Sequence, residues 1–135
     1  MSESTQTIRR VLIDTNIVSA HFKGELQVAS NLESCEAVFL PVVVLGELLF
    51  GARRSANVAR NLDRVERFAS ATILLSTDSE TARNYGQIKA DLTATGLIIP
   101  DNDLWIVSLS IQHQLPIVSR DQHFSHIPRL QWLVW

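Results

Sequence analysis

Short, mainly apolar runs recur along this chain, separated by longer stretches in which apolar residues return every three or four positions. The runs are Arg9 to Asp14 (RRVLID), AVFL at 37–40, TILL at 72–75, PIVS at 116–119 and QWLVW at 131–135. Runs of that length without polar alternation predict strands buried on both faces. The intervening stretches predict helices. Asn16 caps a first helix through IVSAHF, which Gly24 stops, and Glu25 to Leu32 forms a second. Pro41, at a first helical position, opens a third through Ala52, and Ser55 starts a fourth. Asp78 caps a long fifth helix that runs through Leu92 and ends at Gly96, and Asp101-Asn102-Asp103 after Pro100 introduces a sixth, LWIVSLSI. Strands alternating with helices predict an α/β fold. The expected architecture is a three-layer α/β/α sandwich with a mainly parallel sheet of about five strands, formed by residues 1–135 as a single domain with no linker or repeat.

Four acids interrupt this apolar frame, each beside a buried element: Asp14 after VLI, Glu47 inside PVVVLGELLF, Asp103 before LWIV, and Asp121 after PIVSR. In an open parallel sheet, functional groups gather outside the carboxyl ends of the strands. Asp14 and Asp121 both sit at such ends, and Asp103 lies in the first turn of a helix entering from the same edge. Glu47 lacks a structural excuse, because an unpaired charge among Val, Leu and Phe is expensive to bury. Two carboxylates about 5 Å apart repel by roughly 3 kcal/mol at an effective dielectric near 20. A divalent cation offsets that cost, and an all-oxygen shell suits Mg²⁺ or Mn²⁺ better than zinc.

Composition narrows the classes. A length of 135 residues with 46% hydrophobic content supports a packed core rather than a disordered chain. A single cysteine, Cys35, cannot form an internal disulfide, and the polar start MSESTQTIRR lacks a signal-peptide core, so a reducing cytoplasm is expected. The longest apolar stretch, Phe39 to Phe50, contains Pro41 and Glu47 and falls short of the ~20 residues a membrane span needs. The net charge of −2 conceals an uneven distribution, with Arg53, Arg54, Arg60, Arg64 and Arg67 close together. On a helical wheel Val58, Leu62, Val65 and Ala69 share one side while Arg60, Arg64 and Arg67 fall opposite. That arginine face is either a phosphate-contacting surface or a solvated one paired with Asp63 and Glu66.

These segments resemble the PIN domain family, in particular the VapC-type toxin ribonucleases of bacterial toxin–antitoxin pairs. VLIDTNIVSA, LGELLFGARRS, GLIIPDNDLWIVSLSI and IVSRDQHF keep the family's order and spacing over essentially the whole chain. The resemblance places the four family acids on Asp14, Glu47, Asp103 and Asp121, with the first and third as the usual direct Mg²⁺ ligands. It places supporting polar residues on Thr15, Asn16 and Ser119. Asp103, rather than Asp101 or Asn102, has the required spacing to Trp105-Ile106. Val107-Ser108 replaces the small pair common there, a change expected to affect helix packing. The resemblance implies Mg²⁺- or Mn²⁺-dependent cleavage of single-stranded or looped RNA by an activated water, leaving 5′-phosphate and 3′-hydroxyl ends. It also implies a homodimer held inactive by a VapB-like antitoxin that inserts a basic side chain near the acids.

Each feature has a plainer reading. Asp14, Asp101 and Asp103 can serve as helix caps or complement a helix dipole, and SRD is a common turn composition. His123 and His126 lie three apart but have no cysteine nearby to complete a zinc site, and Trp132 and Trp135 are expected to pack rather than stack on bases. A receiver-type signalling domain is disfavoured, since Asp14 has no acidic neighbour and the lysines are Lys23 and Lys89 alone. A Gly-rich phosphate loop, a GxSxG segment and a partnered Cys–His pair are all missing, consistent with chemistry that needs no covalent nucleophile. The remaining alternative is a PIN-like module that binds RNA or protein without cutting.

Overall fold

The computed structural model describes residues 9–135. Of the polar start MSESTQTIRR, residues 1–8 lie outside the described residues, while Arg9 and Arg10 open β1. In chain order the elements are β1 (Arg9–Ile13), α1 (Thr15–Phe22), α2 (Leu26–Ser34), β2 (Cys35–Pro41), α3 (Val42–Arg53), α4 (Val58–Ser70), β3 (Ile73–Leu75), α5 (Ser79–Ala94), α6 (Asp101–His113), β4 (Ile117–Val118) and β5 (Trp132–Leu133). A 3₁₀ turn, Gln122–His126, separates the last two strands.

The strands form one sheet in the order β3-β2-β1-β4-β5, and every neighbouring pair is parallel. Val11, Leu12 and Ile13 of β1, with Ile117 and Val118 of β4, are wholly buried, as strands covered on both faces must be. Right-handed crossovers place the helices between β1 and β3 on one face and those between β3 and β4 on the other. Within the first group α1 lies against α2 and α3, and α3 against α4; α5 lies against α6, and α3 also meets α6, so the helices carrying Glu47 and Asp103 touch. Val107 and Ser108 are both buried in α6, and the Ser108 hydroxyl donates back to the Leu104 carbonyl, so the altered pair is absorbed within the helix.

Several boundaries move for local reasons. The cap of α1 is Asp14, whose carboxylate accepts the Thr15 N–H, while Asn16 sits inside the first turn and reaches across to Ser119, just after β4. Pro41 ends β2 and is the N-cap of α3 rather than its first turn. The fourth helix begins at Val58 with Asn57 as its cap, because the Ser55 hydroxyl donates to the Ala52 carbonyl and finishes α3 instead. Gly24 and Gly96 have φ of +86° and +80°, the left-handed conformation that ends helices.

The order of strands decides where chemistry can sit. From β1 the chain proceeds outward through β2 and β3, then returns to add β4 and β5 on the other side of β1. The carboxyl ends of β1 and β4 therefore flank the point where the winding reverses, and crevices open at such points.

Candidate active site

β1 delivers Asp14 to that crevice. The Asp14 N–H donates to the Val118 carbonyl at 3.1 Å, which ties the residue to the end of β4, and its side chain is 5% exposed. Thr15 N–H donates to Oδ1 at 2.8 Å and the Ser119 hydroxyl to Oδ2 at 2.7 Å, so both oxygens are held by donors. Burial pushes the Asp14 carboxyl above the usual range. The two hydrogen bonds oppose that shift, and the nearby charges of Asp103 and Glu47 add to it.

Glu47 enters from α3. Its Oε1 accepts the Thr15 hydroxyl at 2.6 Å and its Oε2 accepts Asn102 Nδ2 at 3.3 Å, so a half-buried carboxylate on an apolar helix is oriented from two other elements. Asp103, in the first turn of α6, is also raised, chiefly by burial, with a lowering hydrogen bond from His123 and a raising contribution from Asp121. Asp121 follows β4; its N–H donates to the Ser119 hydroxyl at 3.0 Å and its Oδ1 accepts the His123 N–H at 3.0 Å.

All four acids line one cleft of about 430 Å³, together with Thr15 and Asn16. Ser119 is wholly buried beneath them and links Asp14, Asn16 and Asp121. The arginines behave differently. Arg64 lines an adjoining groove of about 260 Å³ that shares Thr15, Ser19 and Glu47 with the cleft, but its guanidinium donates to the Phe22 carbonyl at 2.8 Å and lies over the Phe22 ring. Arg54 lies over Phe50, Arg67 pairs with Asp63 at 2.8 Å, and Arg53 and Arg60 are exposed. None of these lines the acid cleft.

Three residues not singled out as site residues from the sequence stand there. Asn102 holds Glu47, Arg120 lines the cleft, and His123 Nδ1 lies 3.3 Å from Asp103 Oδ2 and 3.1 Å from Asp121 Oδ1. His126, its sequence neighbour, instead lines a separate apolar groove beside Leu92 and Leu97, so the two histidines do not converge. Asp101 is outside the cleft, bonded to Tyr85 and Lys89.

The donor set fits a hard divalent cation. Carboxylates from four elements line the cleft, and one ligand atom each from Asp103, Asp121 and His123 lie within 4.8 Å of one another, whereas Asp14 and Glu47 stand outside that group. Buried carboxylates with raised pKa values carry an electrostatic cost that bound positive charge would relieve.

A parallel α/β sheet with an acid cluster at its switch point defines the class, and the PIN domain family is matched over residues 11–130. The chain belongs to that family. It is 32% identical over 130 residues to the tRNA(fMet)-specific endonuclease VapC of Salmonella typhimurium, covering 93% of this chain and 98% of that relative. It is 30% identical over 124 residues to the ribonuclease VapC2 of Rickettsia felis, covering 88% and 92%. The solved VapBC2 of Rickettsia felis, bound to a DNA fragment from their promoter, matches with a TM-score of 0.87 at 28% identity, over 93% of this chain and 98% of that one.

Proposed function

We propose that this chain is a divalent-metal-dependent endoribonuclease, the toxin of a VapBC-type pair. The observation that carries this reading is the buried Asp14 carboxylate, fixed by Ser119 and Thr15 beside Asp103, Glu47 and Asp121 in one open cleft. The ribonuclease names of the similar proteins support the same activity, and the VapBC assembly of the Rickettsia structure supports a VapB-like antitoxin as partner. Among the described residues no helix is long and apolar enough to cross a membrane. The toxin is proposed to act in the cytoplasm as a homodimer.

Asp14 and Asp103 would hold Mg²⁺ or Mn²⁺ directly, with Glu47 and Asp121 completing the acidic shell. When bound, such an ion supplies an activated water and neutralises charge on the phosphoryl oxygens. The chain's own residues orient that centre. Ser119 and Thr15 aim the two Asp14 oxygens, while Thr15 and Asn102 aim those of Glu47. His123 bridges Asp103 and Asp121 and, when protonated, offsets their repulsion. No side chain in the cleft would be needed as a nucleophile: water attacking phosphorus with the 3′ oxygen as leaving group would break the P–O3′ bond and give the 5′-phosphate and 3′-hydroxyl ends that the family resemblance implies.

The test is cleavage of a mixed cellular RNA pool by purified, antitoxin-free protein with Mg²⁺, with Mn²⁺ and with EDTA, beside an Asp14→Asn/Asp103→Asn control. Metal-dependent cuts with 5′-phosphate ends, lost in the control, are expected. A folded protein that cuts in EDTA, or that binds RNA and never cuts it, would overturn the reading in favour of different chemistry or a non-cutting module.

A further inference from the structure

Four carboxylates repel a polyanion, so a cleft built on them needs cations close by if it is to hold RNA. The arginines of α3 and α4 do not line the cleft. Among the described residues the cationic side chains that do are Lys23, after α1, and Arg120, after β4.

Arg120 is built into the site's frame. It stands between Ser119 and Asp121, and its backbone N–H donates to Asn16 Oδ1 at 3.1 Å. Its guanidinium faces Glu25 edge to edge, with Nη2 2.6 Å from Oε1 and Nη1 3.2 Å from Oε2, while Nε donates to the Trp135 backbone oxygen at 2.9 Å. Glu25 also lines the cleft, and although it precedes α2 its side chain makes no capping hydrogen bond there. The fork of an arginine takes two oxygens of a carboxylate or two of a phosphate with the same geometry. Both partners are more than a third exposed, at 37% and 44%. Solvent screens a pair so open, and a phosphate entering the cleft can reach the same fork and compete for it.

We infer that Arg120, assisted by Lys23, binds a phosphate of the RNA chain flanking the bond held at the acids, and that Glu25 is the internal carboxylate this phosphate displaces. The inference rests on the ribonuclease reading and adds a substrate-binding residue and its competitor to it.

The experiment measures binding of a fluorescein-labelled, random-sequence single-stranded oligoribonucleotide by anisotropy over a KCl series. It uses the full chain with Mg²⁺, in an Asp14→Asn background to prevent cutting. Arg120→Ala is expected to weaken binding about tenfold and to reduce the log–log salt slope by about 0.7, the loss of one phosphate contact. Arg120→Lys should keep the slope while recovering only part of the affinity, because it lacks the fork. Glu25→Gln should tighten binding, and it remains informative even if Arg120→Ala fails to fold. Unchanged affinity and slope in Arg120→Ala, or weaker binding in Glu25→Gln, would overturn the inference and leave the nuclease reading intact. So would an Arg120→Ala protein that loses affinity for its antitoxin but not for RNA. A wild-type protein that neither binds nor cuts RNA would overturn both.

Discussion

Asp14 carries a conflict between what the fold prefers and what the site requires. Burial raises its carboxyl above the ordinary range, against the pull of Ser119 and Thr15, so the folded chain holds the proton more tightly than the unfolded one. As pH rises the unfolded chain ionises first, near the ordinary value of about 3.9. Asp14 therefore contributes its full stability below that value and loses it as pH climbs through the raised folded value. Asp14→Asn removes the ionisation but keeps an acceptor for the Thr15 N–H. In EDTA the variant is expected to melt above the parent at pH 7, with the gap closing towards about pH 4, while cleavage is lost. Thermal unfolding across that range reads it, and a parent as stable as the variant at neutral pH would contradict the burial account. The place of Asp14 at the carboxyl edge of the sheet was legible from a strand ending in an acid. His123, Arg120 and Asn102 were not legible, because their roles depend on the 3₁₀ turn after β4 and on which side chains two other elements present to them.

At the scale of elements, one helix shows how identical substitutions diverge. In α5, Gly86 lies mid-helix and exposed, with nothing within 4 Å of an added Cβ, whereas Gly96 follows the helix at φ +80°. Gly96 N–H and Leu97 N–H close the helix end on Thr93 and Leu92 carbonyls, turning the chain towards Pro100 and α6. Gly86→Ala is expected to stabilise by about 0.5–1 kcal/mol through helix propensity and reduced unfolded-state freedom. Gly96→Ala is expected to cost about 1 kcal/mol, and Gly96→Asn less, since asparagine tolerates the left-handed region. Urea unfolding of the three variants decides it, and equal signs for Gly86→Ala and Gly96→Ala would refute the turn's role. The Gly96 stop and the Asp78 cap were readable because a single residue type enforces each. The start of α4 was not, since Ser55 and Asn57 are both good caps and only the tertiary path assigns Ser55 to the end of α3. The last two strands, each two residues long, were read too long, because the apolar runs continue beyond the hydrogen-bonded ladder.

For the whole molecule, the alternation of apolar runs was enough to call a parallel sheet, but not to say that β4 returns to the far side of β1. That return makes the site, since it sets Ser119 beneath Asp14 and brings Asp121 level with Asp103. A centre assembled from β1, α3, α6 and the turn after β4 exists only in the folded chain, so a cation held there must stabilise the fold as a whole by linkage. One site at a free concentration of one hundred Kd contributes about 2.7 kcal/mol. Wild-type protein titrated with Mn²⁺ at fixed ionic strength should accordingly show a Tm that keeps rising with the logarithm of metal concentration above Kd. The Asp14→Asn/Asp103→Asn protein, stripped of both proposed ligands, should melt at a Tm nearly independent of Mn²⁺. Because unfolding is measured rather than cleavage, the result does not depend on having found the right RNA. A wild-type Tm that ignores Mn²⁺ and Mg²⁺ alike would mean that the four carboxylates are balanced from within, by His123 and their hydrogen bonds, and that the cleft binds without cutting.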